Sequence, residues 1–260
     1  MIDVREQELE IVARWNDKGN TKLGNLLSWS TLAGDGDFDT PYGVVSGTCG
    51  GCCEGCGHAA EGRKRPPCYV FKSYRHGSVI KGHARNTLAV REDADKAFRD
   101  LSDHITRKRN PVIACRYDQS GSFENGAVFR YMCRCAAEHP TIPFFVYTKR
   151  YRIVVEALEN GEVPANLFIL FSIWHENGIA EYLRVSQYPN VKAFVYCDKN
   201  KHPFTGWDET DYAKKGIVIT TFCKAYDTKG KMNHAITCEK CRKCYVARGS
   251  WKVIACWDHA

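Results

Sequence analysis

The sequence predicts an α/β fold, a partial (β/α)6 barrel with a cysteine-rich loop after its first strand and a cysteine-rich C-terminal extension. Three observations lead there. From residue 83 helical and extended patterns alternate at short intervals. The extended runs are apolar on both faces, as strands of a parallel sheet covered by helices must be. Connections between parallel strands are right-handed, which leaves an open doubly wound sheet or a partial barrel, and about six units fall short of a closed eight-stranded one.

In chain order, residues 1–25 read as an N-terminal helix, 26–223 as the barrel and 224–260 as a cysteine-rich metal or auxiliary-cluster segment. An early strand lies near LLSWSTL or GVVS. HARNTLAVREDADKAFRDLSDHITRK sets Ala94, Ala97, Phe98, Leu101 and Ile105 on one face of a 3.6-residue period, an amphipathic helix. PVIACRYD is a short β-rich run ending in SGS. ENGAVFRYMCRCAAEH is helical, PFFVYTK a strand, RYRIVVEALENG a helix closed by Gly161, and NLFILFSIW a strongly apolar strand. GIAEYLRVSQYPN and VKAFVYCD repeat the unit, and GIVITTFC adds the last strand. In either architecture chemistry gathers on loops at the carboxyl ends of strands, where the cysteine loop, SGSFEN, YTKR and IWHENG fall.

Composition narrows the setting. A formal charge of +7, spread over short clusters such as RKR at 63–65 and 107–109 and KNK at 199–201, is mild for a dedicated nucleic-acid binder. Neither a signal-length apolar run in the first thirty residues nor a run of about eighteen apolar residues anywhere is present, so no membrane partner and a cytoplasmic location are expected. In a reducing compartment fourteen cysteines point to metal or iron–sulfur ligation over disulfides.

Two clusters hold most of them. Cys49, Cys53 and Cys56 stand at C-x3-C-x2-C, with Cys52 between and Cys68 twelve residues on. Three thiolates on one glycine-rich loop can hold three corners of a [4Fe–4S] cube and leave the fourth iron open to another ligand. Gly47, Gly50, Gly51, Gly55 and Gly57 let the backbone approach such a cluster. A structural zinc is the alternative, but this loop follows the first strand of a β/α series and is not a separate module. Near the C-terminus Cys238, Cys241 and Cys244 make two successive C-x2-C steps, strong evidence for a metal and weak evidence for which one. A fourth ligand could be Cys223, Cys256 or His259, and Lys240, Arg242 and Lys243 would offset thiolate charge.

The C-x3-C-x2-C loop after strand one resembles the radical S-adenosylmethionine (SAM) superfamily. More closely, CYVFKSYRHGSVIKGHARNTLAVRED, RYDQSGSFENGAVFRYMCRCAAEHPTIPFFVYTKRY, TCEKCRKCY and the final VIACWDH resemble, in order, the phage "gene product 88" domain family. The resemblance implies a radical-SAM-like iron–sulfur protein of phages and mobile elements: a [4Fe–4S] cluster on three of Cys49, Cys53, Cys56 and Cys68, SAM at the open iron, an external electron donor and an unidentified substrate. Tyr69 after Cys68 makes that cysteine as serious a ligand as Cys56; Gly55 stands where the superfamily has an aromatic residue. The resemblance further places Ser120 and Gly121 where SAM's amino group is held, with Asp118 and Glu124 as flanking carboxylates; an ordinary strand-to-helix turn with an N-cap reads the same residues equally well. At Cys238, Cys241 and Cys244 it allows a second, auxiliary [4Fe–4S] cluster, with zinc as the other option.

The remaining candidates are simpler. Cys115, Cys133, Cys135 and Cys197 read as buried small hydrophobes, and Tyr245, Trp251 and Trp257 as core packing. His175 and Glu176 after NLFILFSIW suit proton transfer or a plain loop, and Lys149, Arg150 and Arg152 an anionic ligand or a solvated helix start. The expected activity is that of a radical-SAM-like iron–sulfur enzyme; the alternative is a non-catalytic zinc- or iron–sulfur-stabilised phage protein that binds nucleic acid or a host protein.

Overall fold

A computed structural model describes residues 10–17, 22–50, 69–173, 176, 178–197, 207–225, 233, 235–247 and 251–257. Its centre is a seven-stranded sheet in which every pairing is parallel. The strands are β1 (Leu27–Ser28), β4 (Cys115–Tyr117), β5 (Phe144–Thr148), β6 (Leu167–Ile173), β7 (Val191–Cys197), β8 (Thr221–Phe222) and β9 (Val253–Trp257). They lie in the order β1-β4-β5-β6-β7-β9-β8, with β2 (Asp37–Thr40) and β3 (Gly43–Ser46) as a separate antiparallel hairpin. Of the two candidate first strands, LLSWSTL therefore supplies the sheet and GVVS the hairpin.

The helices are α1 (Gly77–Glu92), α2 (Ala94–Arg107), α3 (Gly126–Ala137), α4 (Tyr151–Glu159), α5 (Ile179–Val185), α6 (Glu209–Lys214) and the single turn α7 (Cys238–Cys241). The long helix expected over 83–108 is two: Asp93 is extended and its carboxylate accepts the Lys96 N–H, ending α1 and capping α2. Asn125 caps α3 in the same way. Residues 10–17 and 22–25 contain no helix, contrary to the N-terminal expectation. Instead Asn16 bridges Ser28 antiparallel, and the Trp15 indole donates to the Leu101 carbonyl at 2.9 Å.

Alternation along each strand divides the sheet into two faces. Tyr117, Phe144, Val146, Ile169, Phe171, Ala193, Val195 and Ala255 share one core with residues of α1 to α6. Phe145, Phe168, Leu170 and Ile254 point the other way, and Leu23, Leu26 and Tyr245 cover them. Strands in sequential order with right-handed connections throw their helices to one side, so α1 to α5 share a face. From β7 the chain passes over the next position to β8 and then returns to insert β9 between them, and a right-handed return lands on the opposite face. That return carries α7 and Tyr245. The sequence reading missed β9, taking its residues for a packed aromatic tail, and saw a full strand in GIVITTFC where only Thr221 and Phe222 pair.

Tyr117 is the hub of the helix-side core. It is fully buried, its ring lies 5.4 Å from those of Trp15 and Phe144 and 6.2–6.4 Å from Phe98 and Trp29, and its hydroxyl donates to the Met132 carbonyl. Truncation of Tyr117 to Ala is expected to cost about 3–5 kcal/mol, measured as a lower urea midpoint, while Tyr117→Phe costs about 1 kcal/mol.

Candidate functional site at the carboxyl ends of the strands

Three segments meet beyond the carboxyl ends of β1, β4 and β5. The chain leaves β1 through Ser30 and Thr31, makes the hairpin, and returns beside itself: Thr48 N–H donates to Leu32 O and Cys49 N–H to Gly34 O, at 2.9 and 2.8 Å. The cysteine loop thus starts at the end of the first strand although a hairpin intervenes. The turn after β4 locks onto this return. Thr31 N–H donates to Ser120 O, Ser120 Oγ to Thr31 O, and Ser122 N–H to Thr48 Oγ1, all between 2.9 and 3.1 Å. At Gly121, φ is +76°, and a Cβ would sit 2.1 Å from Thr31 Oγ1 and 2.7 Å from Thr48 Oγ1. Only glycine fits there, for conformation and for space. Ser120 and Ser122 are buried, and the polar atoms of Ser120 are engaged within the protein.

The carboxylate next to them is different. Asp118 is 5 % exposed and, at φ +46°, occupies the left-handed region that costs a side-chain-bearing residue about 1 kcal/mol. Its Oδ2 accepts the Phe123 N–H at 2.9 Å; its Oδ1 is buried with no hydrogen-bond partner among the described residues. Burial raises its pKa to about 7, against the opposing pull of the Phe123 N–H and of Arg116 and Arg150. Glu124, the other flanking carboxylate, is held by Arg91, whose guanidinium binds both its oxygens and also Gly47 O.

Arg150, just past β5, has a role that sequence reasoning did not find. Its Nη2 donates to the carbonyls of Thr48 and Cys49, both at 3.1 Å, and so fixes the base of the cysteine loop, while its buried Nε has no hydrogen-bond partner among the described residues. Contacts between positions 102 residues apart leave no local signal. Tyr74 was also missed; its hydroxyl accepts the Ala33 N–H at 2.7 Å and lies 3.4 Å from Nδ1 of His83, an imidazole that burial holds near pKa 4. Cys49 is half-buried at this mouth. Cys52, Cys53, Cys56, Cys68 and His175 lie outside the described residues. Glu176 is exposed and ion-paired with Lys215, and Arg152 is exposed.

The second group of thiols lies on the face of the sheet opposite α1 to α6. Cys223, Cys238 and Cys244 pack against the apolar cluster there, and Cys241 closes the α7 turn. The segment is pinned by backbone contacts. Cys238 N–H donates to Lys22 O, Glu239 accepts the Asn25 N–H, and the buried Lys192 ammonium donates to the carbonyls of Lys243 and Val246 at 2.6 and 2.8 Å. The Tyr147 hydroxyl donates to Cys244 Sγ at 2.9 Å, and Arg116 stacks 4.7 Å over the Tyr147 ring. Burial raises the Cys244 thiol to about 12 and also raises Cys238. Cys223 is lowered to about 6, first by the Cys256 thiol that donates to it and then by Lys22, the Ala225 N–H and Lys243, with burial opposing. As the side chains stand, no three His, Cys, Asp or Glu among the described residues converge closely enough to hold one metal ion. Cys115, Cys133, Cys135 and Cys197 are all buried.

Fold and site together define an α/β protein with a parallel sheet, a cationic mouth where its cysteine loop begins, and a second thiol-rich face. The chain belongs to the gene product 88 family, a phage family, which matches residues 9–247. No curated protein and no solved structure matches it. No helix among the described residues is long and apolar enough to cross a membrane.

Two predictions concern the mouth. Gly121→Ala is expected to destabilise the fold by about 2 kcal/mol or more in urea unfolding, since both the conformation and the space are wrong for alanine. Between about pH 4 and 7 folded Asp118 keeps a proton that the unfolded chain has released, so its contribution makes stability fall as pH rises through that window. Asp118→Asn, which also tolerates the left-handed backbone, should remove on the order of 2–4 kcal/mol of this pH dependence, read from unfolding midpoints across the window.

Proposed function

We propose that the protein is a radical-SAM-like iron–sulfur enzyme, with a [4Fe–4S] cluster on the loop that begins at Cys49 and SAM bound beside it. The observation that carries this reading is Cys49 at the carboxyl edge of sequentially ordered parallel strands, tied to Arg150, which also acts on Asp118, whose buried Oδ1 has no hydrogen-bond partner among the described residues. Support for a partial (β/α) barrel comes from strands β1, β4, β5, β6 and β7 lying in sequence with their helices on one face. Thiolates on Cys49 and two of Cys53, Cys56 and Cys68 would ligate the cluster, and the guanidinium of Arg150, bonded to the Cys49 carbonyl, would offset its negative charge.

A bound cluster supplies one electron to a sulfonium such as SAM, received in turn from an external donor. The chain's own residues do the rest. Arg150 holds the loop base through the carbonyls of Thr48 and Cys49. Asp118 Oδ1, buried and without a hydrogen-bond partner among the described residues, would accept an N–H from the ligand's ammonium in a charge-assisted bond. Ser120 and Gly121 shape the turn that presents it and, with their own contacts internal, act from behind.

A second reading draws on the way the C-terminal thiols cover the sheet, fixed by Lys192, Glu239 and Tyr147. A metal-stabilised scaffold, with zinc at Cys238, Cys241 and Cys244, would bind nucleic acid or a host protein without catalysis. Anaerobic purification separates the two. The enzyme reading expects brown protein whose reduced-cluster electron paramagnetic resonance signal shifts with SAM; colourless, zinc-replete protein sinks it. Asp118→Ala should raise the SAM concentration needed for that shift about tenfold or more and leave the iron content unchanged.

A further inference from the structure

The formal charge of +7 is unevenly placed along the chain. Residues 62–91 hold eight lysines and arginines and no aspartate or glutamate, so the rest of the chain sums to a net charge of −1. Arg63, Lys64 and Arg65 lie outside the described residues; of the other five, Lys72, Arg75 and Lys81 are exposed. We infer that this cationic edge, with the aromatic side chains set between its charges, binds single-stranded nucleic acid and leads it to the mouth.

Local geometry sorts the two kinds of side chain. Tyr69–Ser73 is a 3₁₀ turn, in which side chains three residues apart eclipse one another. The Tyr74 N–H donates to Phe71 O and carries this spacing one residue further. In the run FKSYR it pairs Phe71 with Tyr74 and Lys72 with Arg75. The two rings lie 5.8 Å apart, and Phe38 of the hairpin packs on both, at 6.0 and 5.4 Å. A half-buried aromatic edge thus runs beside an exposed cationic one. Asp37 and Asp39 flank Phe38 on β2, and the alternation of a strand sends their carboxylates to its other side.

This placement of charge is unfavourable for the fold by itself. Lys81 and Arg85 are like charges one turn apart on α1, a spacing that weakens a helix. On α2, by contrast, Lys96 pairs with Asp100, Arg99 with Asp95 and Arg107 with Asp103. A phosphate backbone brings anions to the cationic edge, and its bases find ring faces on which to stack. An acidic peptide would use the cations and leave Phe71 idle, and a duplex keeps its base faces covered.

The edge adjoins the mouth. The Tyr74 hydroxyl lies 3.5 Å from Ser120 Oγ, in the turn that follows Asp118, and at the far end of α1 Arg91 holds Gly47 O and Glu124. A strand laid along Phe71 and Arg75 therefore reaches the site where the cysteine loop begins.

The inference gives the mouth a substrate class and rests to that extent on the enzyme reading, but binding is measured without SAM, so the two fail separately. Full-length protein is titrated into labelled oligo(dT), oligo(U) and a DNA duplex, each of about fifteen nucleotides per strand, and fluorescence anisotropy is read at several salt concentrations. A single strand is expected to bind about tenfold or more tighter than the duplex, and the preference between oligo(dT) and oligo(U) tells DNA from RNA. Lys72→Gln, Arg75→Gln and Lys81→Gln together weaken binding about tenfold or more and flatten the salt slope by about 2, at about 0.7 per phosphate contact. Phe71→Leu, which keeps an apolar side chain, weakens it about fivefold or more with the slope unchanged. Arg107→Gln with Lys214→Gln, exposed charges elsewhere, binds as the wild type does. A triple variant that is folded by circular dichroism and binds as tightly as wild type overturns the inference, as does equal binding of the duplex or full competition by polyglutamate of matched charge. Wild-type protein that binds the strand but carries no iron sinks the mouth reading and leaves this one standing. Protein whose cluster signal answers to SAM yet which binds no strand sinks this one alone.

Discussion

Each connection between parallel strands has to be right-handed, and from this one constraint the layout of both thiol groups follows. Strands β1, β4, β5, β6 and β7, laid down in order, put every intervening helix on one side and leave the other side of the sheet apolar and bare. The only inexpensive way to cover Phe145, Phe168, Leu170 and Ile254 is a connection that reverses direction, and the return from β8 to β9 is one. The cysteines on that return reach the face opposite α1 to α6 for the same reason that those helices do not. At the other end of the strands the same winding brings the turns after β1, β4 and β5 side by side.

The loops that result are held by single buried polar side chains more than by regular structure. Asn86 binds both backbone groups of Arg14 and the Ser30 carbonyl, tying the N-terminal segment and the exit from β1 to α1. Asn166 donates to three carbonyls in the last turn of α3 and just beyond it, Lys192 to two on the return, and Arg150 to two at the base of the cysteine loop. Each of these donors replaces water for carbonyls that would otherwise be buried unsatisfied, at about 1–3 kcal/mol apiece. Asp118 departs from this pattern: one of its oxygens is satisfied, and the other, like the buried Nε of Arg150, has no hydrogen-bond partner among the described residues.

Legibility from sequence tracks the range of the interaction. Strands β5, β6 and β7 are apolar runs whose signal is local, as is the cap after α4 at Gly161, and both can be read directly. The break at Asp93 is also local, but the apolar period continues across it and hides it. GIVITTFC reads as a strand, yet Val218 is exposed and only two residues pair, because β8 is an edge whose pairing depends on a partner thirty-odd positions away. The cysteine spacings raise an expectation of metal chemistry from sequence alone. What the mouth adds, Arg150 on Thr48 and Cys49 and the orphaned oxygen of Asp118, arises from contacts across the fold and has no spacing to find.

The insertion of β9 between β7 and β8 has a consequence for how the molecule is made. During synthesis β8 emerges before the strand that joins it to the sheet, so it has no neighbour to pair with until β9 follows. Until then β7 presents an open row of amides and carbonyls. The open edge of β7 and the pairing of β8 are therefore completed by the same strand, β9.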